Sequence, residues 1–68
     1  TYTDLANQLS NREFEVAKLI TKGLDSKQIA KELYLTQGTV KNYMSNIYKI
    51  IGTNDRTKAA IFLKKYGL

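Results

Sequence analysis

Lys41, Asn42 and Ser45 fall within five consecutive residues. Between them they offer an ammonium donor, an amide that both donates and accepts, and a hydroxyl that bonds either way. Lysine donates to the acceptors of guanine, asparagine pairs with the donor and acceptor of adenine, and serine suits several base edges, so the chemistry within reach is the reading of a nucleic-acid groove. Catalysis is poorly served. The chain has no histidine and no cysteine, and its carboxylates number six. The usual general bases, thiol nucleophiles and zinc ligands are absent, so no enzyme, metal site or cofactor is expected. A formal charge of +5 and a pI near 9.6 direct attention to an acidic partner, nucleic acid first and an anionic membrane second, and no helix sets bulky apolar residues opposite a lysine-rich face, so no membrane partner is expected.

For these side chains to act together they must share one face of a helix. At about 100° per residue, Val40, Met44, Ile47 and Ile51 fall in a narrow sector and form an inward stripe. The opposite side then carries Gly38, Lys41, Asn42, Ser45 and Lys49, with no carboxylate to repel phosphate. Gly38, lacking a side chain near the start of the helix, leaves room for a phosphodiester beside the orphan amides of the first turn. This helix is predicted over about 37–51, with Thr36 as its cap and Gly52 as its stop.

The rest of the chain reads as support for that helix. Proline is absent and apolar residues recur every three or four positions, which predicts an all-α fold of four helices. Ser10 with Glu13, and Asp25 with Gln28, are capping boxes that start helices at Asn11 and just after Asp25. Val16, Ala17 and Ile20 should face inward on the first helix, and Ile29, Ala30 and Leu33 on the second. The fourth, capped by Asn54 or Asp55, should run from about Arg56 to Tyr66 with Ala59, Leu63 and Tyr66 buried. Residues 1–8 read as a linker remnant and 9–68 as one domain, which at this length buries only about 60% of its unfolded surface. The polar opening and missing initiator Met lead us to expect a segment of a longer protein. No apolar run approaches the ~20 residues needed to span a bilayer, so a cytoplasmic location is expected. A short helix, a three-residue turn and a longer helix, with Ala30, Leu33, Leu35 and Val40 buried, make a helix-turn-helix layout. Lys27 and Lys31, outside on the second helix, are placed to reach flanking phosphates.

Four stretches then carry a resemblance: L-S-N-R-E-F-E-V at Leu9–Val16, K-G-L-D-S-K-Q-I-A at Lys22–Ala30, L-T-Q-G-T-V-K at Leu35–Lys41, and I-G-T-N-D-R-T-K-A at Ile51–Ala59. In this order and spacing they resemble the LuxR-type (NarL/FixJ, GerE-like) helix-turn-helix domain of bacterial transcription regulators. The resemblance implies a four-helix domain whose third helix enters the major groove of double-stranded DNA and whose fourth pairs with its counterpart in a homodimer, with Ala60 and Ile61 as the candidate seam. It implies base contacts from Lys41, Asn42 and Ser45 and phosphate contacts from Thr36, Thr39 and Tyr43, beside which Lys27 and Lys49 are further phosphate candidates. The chain departs from the family at Tyr43, often histidine there, and at Ile50, usually lysine; Lys49 points about 100° away from that position. The family pattern also implies that an acidic residue of R-E-F-E bridges to Arg56, Glu13 being the first choice and Glu15 the competitor. The expectation is a DNA-binding effector domain, of a two-component response regulator first and a ligand-sensing regulator second, with an N-terminal regulatory domain. The alternative is a helix-turn-helix module that docks an acidic protein.

Overall fold

Local side-chain-to-backbone bonds start each helix in the computed structural model, which describes residues 7–68. The Ser10 hydroxyl accepts the Glu13 amide at 3.2 Å and the Glu13 carboxylate accepts the Ser10 amide at 2.8 Å, opening α1 (Asn11–Thr21). Asp25 and Gln28 exchange the same pair of bonds, each at 2.9 Å, to open α2 (Ser26–Leu33). Thr36 Oγ1 accepts the Thr39 amide at 3.2 Å ahead of α3 (Gln37–Ile51). Of the two candidate caps for α4 (Arg56–Lys65), Asp55 does the work, accepting the amides of Thr57 and Lys58 at 2.8 and 3.1 Å. Each such cap is worth about 1 kcal/mol.

The helices end as the sequence indicates, with one exception. Gly52 closes α3 at φ 82°, a left-handed conformation open to glycine, and its amide donates to the Tyr48 carbonyl at 2.8 Å. The last helix stops one residue short of Tyr66, which becomes its cap. Most of the expected linker, 1–6, lies outside the described residues; Asn7 and Gln8 carry helical backbone and Leu9 is buried. No strand occurs among the described residues.

α1 packs on both α3 and α4, while α2 packs chiefly on α3. Val16, Ala17 and Ile20 from α1, Ile29 from α2, Val40 and Ile47 from α3, and Ala59 and Leu63 from α4 are sealed from solvent. Each larger side chain among them contributes about 1.5–3 kcal/mol by burial. Leu33, Leu35, Ile51 and Tyr66, expected inside, are only half-buried against the edge of that core. They sit at helix ends or in the turn, and a domain this short has no further layer to cover them.

The three-residue turn of the helix-turn-helix contains the only non-glycine residue of positive φ among the described residues. Tyr34 stands at φ 58°, ψ 41°, and its side chain is 95% exposed. The left-handed backbone lets the Leu35 amide donate to the Ala30 carbonyl at 2.9 Å, which ends α2 and turns the chain into α3. A tyrosine there carries the Cβ strain of this conformation without packing gain. Tyr34→Gly is therefore expected to stabilise the domain by about 1 kcal/mol, raising its midpoint in thermal unfolding by about 4–8 °C; an unchanged or lower midpoint would contradict the strain.

Candidate nucleic-acid interface

α3 divides into four sides about its axis. Val40, Met44 and Ile47 are buried, and the opposite side exposes Gly38, Asn42, Ser45 and Lys49. On one flank Gln37, Lys41 and Tyr48 lie within about 40° of one another; on the other lie Thr39, Tyr43, Asn46 and Ile50. The expected base contacts Lys41, Asn42 and Ser45 are all exposed and span about 100° of the wheel. Lys41 and Ser45 share a shallow concavity with Met44 and Tyr48, walled by Ser26 at the start of α2 and by Asn54 before α4.

The expected phosphate contacts do not form one cluster. Thr39 and Tyr43 sit on the flank away from Lys41, both half-exposed, and Tyr43 rests partly on the core. Thr36 is exposed and its hydroxyl donates to Thr39 Oγ1 at 2.8 Å, so the hydroxyl proton of Thr39 is the one left for an outside acceptor. Lys27 is exposed in the first turn of α2, next to Ser26, whose hydroxyl accepts the side-chain amide of Gln37 at 3.1 Å. Lys49 is exposed on the outward side. This division fits a helix lodged between two strands of phosphates.

Gly38 has a surrounding that its own fold does not require. Beyond its chain neighbours and the backbone of its own helix, a Cβ there would meet nothing within 4 Å. Glycine inside a helix costs about 1 kcal/mol relative to alanine, and no packing in the domain offsets it.

The expected ion pair between Glu13 and Arg56 is not formed. Glu13 does lie inward, at 9% exposure, but its second carboxylate oxygen accepts the side-chain amide of Asn46 on α3, while the first holds the Ser10 amide. With both oxygens engaged, the carboxylate needs no cation, and Arg56 stands exposed at the first position of α4. Glu15, the competing partner, pairs with Arg12 at 3.1 Å on the surface. Asn46, Gln37 and Ser26 were not singled out in the sequence; no local pattern marks a side chain whose partner is 33 residues away. On α4, Ile61 is exposed and Ala60 half-buried, and both line a depression with Ile20, Thr57 and Lys64.

Residues 7–63 match the family model of bacterial regulatory proteins, luxR family. The chain belongs to the luxR family. It is 48% identical over 60 residues to the transcriptional regulatory protein LnrK of Bacillus subtilis, covering 88% of this chain and 27% of that protein. It is 42% identical over 59 residues to the transcriptional regulatory protein DegU of Brevibacillus brevis, covering 87% and 25%. The same identity over 59 residues relates it to the two-component response regulator PprB of Pseudomonas aeruginosa, covering 87% and 22%. The chain thus spans about a quarter of the length of these relatives. Membership agrees with the expectation from composition: this luxR-family domain is regulatory and not an enzyme. No helix among its described residues is long and apolar enough to cross a membrane.

The Ser10 amide, above all, holds the Glu13 carboxyl below its ordinary value; burial opposes this, and Asn46 adds to the lowering. A lowered folded value means that the stabilisation is complete above the unfolded value, near 4.5, and is lost as pH falls through the folded value. Urea unfolding followed from about pH 7 to pH 3 should therefore show a steeper acid loss for the wild type than for Glu13→Gln; parallel curves would remove this carboxylate as a contributor.

Proposed function

We propose that this luxR-family domain binds double-stranded DNA sequence-specifically, with α3 in the major groove. The observation that carries the reading is the partition of α3: Val40 and Ile47 are sealed at 0% exposure while Gly38, Lys41, Asn42, Ser45 and Lys49 stand in solvent without a carboxylate among them. Lys41, Asn42 and Ser45 contact base edges. Thr39 and Tyr43 hold one strand's phosphates, with Thr36 orienting the Thr39 hydroxyl, and Lys27 and Lys49 contribute further charge, so binding weakens steeply with salt, with a log-log slope near −0.9 per phosphate contacted. Gly38 admits the sugar-phosphate backbone to the first turn of α3.

Two copies meet on DNA through α4, with Ala60 and Ile61 at the seam. In the longer protein the domain is the effector half of a response regulator, acting in the cytoplasm under an N-terminal regulatory domain; the names of the relatives and their greater length support this. A protein-docking role is the weaker reading, since the centre of the exposed face lacks the Trp, Tyr and Arg anchors typical of interface hot spots.

A gel-shift titration against mixed duplexes at two salt concentrations tests the function, and retention independent of salt would count against it. On a selected duplex, Lys41→Ala should relax discrimination at one base pair by about 1–3 kcal/mol, whereas Lys27→Ala should weaken all sequences alike and reduce the salt slope by about one phosphate. Equal loss on cognate and scrambled duplexes for Lys41→Ala would contradict its role as a base contact. Gly38→Ala separates fold from function: the free domain should gain about 0.5–1 kcal/mol in thermal unfolding, yet bind DNA more weakly. Unimpaired binding would show that the space at Gly38 is not used.

A further inference from the structure

We infer that α3 is held in rotational register by two polar ties on opposite flanks, Gln37 to Ser26 and Asn46 to Glu13, which make Gln37 and Asn46 positioning residues for the reading face. The consequence for DNA rests on the function proposed above, although the geometry does not. Gln37 donates to the Ser26 hydroxyl of α2 at 3.1 Å, and Asn46 donates to the Glu13 carboxylate of α1. These are the side-chain hydrogen bonds that join α3 to other helices among the described residues. The two donors are nine residues apart, about half a turn around the axis and ~13 Å along it.

The apolar stripe of Val40, Met44 and Ile47 decides which side of α3 faces the core but sets its rotation only coarsely, because hydrophobic burial is non-directional. Hydrogen bonds are directional and fade quickly with distance and angle. A rotation of about 20° carries a side-chain tip, ~5–6 Å from the axis, through about 2 Å. That motion breaks either tie. It also displaces Lys41 and Ser45 from base edges, where the useful tolerance is well under an ångström. With one tie on each flank and near each end of the reading face, rotation in either sense and tilt are all opposed.

The two ties differ in strength. Asn46 meets a carboxylate in a partly buried setting, a charge-assisted bond, whereas Gln37 and Ser26 are a neutral, exposed pair. Glu13 also holds the start of α1 through Ser10, so one carboxylate joins the cap of the supporting helix to the middle of the reading helix. Asn46 lies only about 40° from Asn42 on the wheel, yet one of its two amide hydrogens is engaged by Glu13, which ties its side chain to α1 as an anchor.

The test uses this chain and a duplex it selects from a random pool. Asn46→Ala should lower the preference for that duplex over its single-base-pair variants by about tenfold, the order of one good base contact, with the salt slope unchanged. Gln37→Ala should show the same pattern more weakly, and Glu13→Gln, which keeps a hydrogen-bonding partner for Asn46, should retain most of the preference lost in Glu13→Ala. Ile20→Val, a core change of comparable instability on α1, should leave the preference intact. A salt slope reduced by one phosphate in Asn46→Ala, or equal loss on all duplexes, overturns the inference. Residual dipolar couplings of the free variants test the geometry separately: α3 should change orientation relative to α1 in Asn46→Ala, and an unmoved helix overturns the lock. If the wild type selects no duplex, the DNA-binding reading fails and the couplings alone decide the lock.

Discussion

Burial of a narrow aliphatic stripe on α3 is the constraint from which the rest of the molecule follows. Val40 and Ile47 are inaccessible to solvent and Met44 nearly so. Exposing any one of them would forfeit about 1.5–3 kcal/mol in a domain with little stability to spare. A helix so placed has no freedom over which side faces out. The outer side is therefore decided by what the sequence puts half a turn away, and there it puts lysine, asparagine, serine and glycine. Reading chemistry and core packing are two aspects of one periodicity.

The supporting helices divide the labour. α2 packs on α3 and meets its start where Ser26 accepts from Gln37, with Ala30 buried at 7% exposure. α1 lies along the middle of α3, where Glu13 meets Asn46, and it also carries α4. α4 touches α3 little by comparison, and its outer side is left with Ala60, Ile61 and Lys64. A helix that contributes to the core mainly through α1 is free to present that side to another copy without disturbing the reading helix.

Short-range physics made much of this legible in the sequence. The caps at Ser10, Asp25, Thr36 and Asp55 are bonds between residues two or three apart, and their side chains announce them; only the choice between Asn54 and Asp55 needed coordinates. The inward stripes of α1 and α3 followed from a period near 3.6 residues. Long-range pairing was not legible. The family pattern pointed from Glu13 to Arg56, whereas the fold brings Asn46 across from it. A carboxylate with one oxygen on a helix cap can be satisfied by a neutral amide, and nothing in residue spacing distinguishes that from an ion pair. Tyr34 was equally silent, since aromatic residues give no sign of a left-handed backbone.

Two places where the sequence works against its own local structure lie four residues apart, at Tyr34 and Gly38. Tyrosine in the left-handed region and glycine inside a helix each sacrifice about 1 kcal/mol, and their neighbours in the fold return nothing for it: one side chain is 95% exposed and the other position faces open space. Elsewhere the chain obeys local rules closely, with a cap on each of α1 to α4 and no buried polar side-chain atom left without a partner among the described residues. Departures of this kind concentrate where selection acts on something other than stability. Both fall on the turn and first turn that lead into the reading helix, the segment that a major groove would receive first. The capping bonds of Thr36, set between them, keep that segment helical despite its poor propensity, so the N-terminal amides of α3 stay aligned along the helix axis and leave its positive end open.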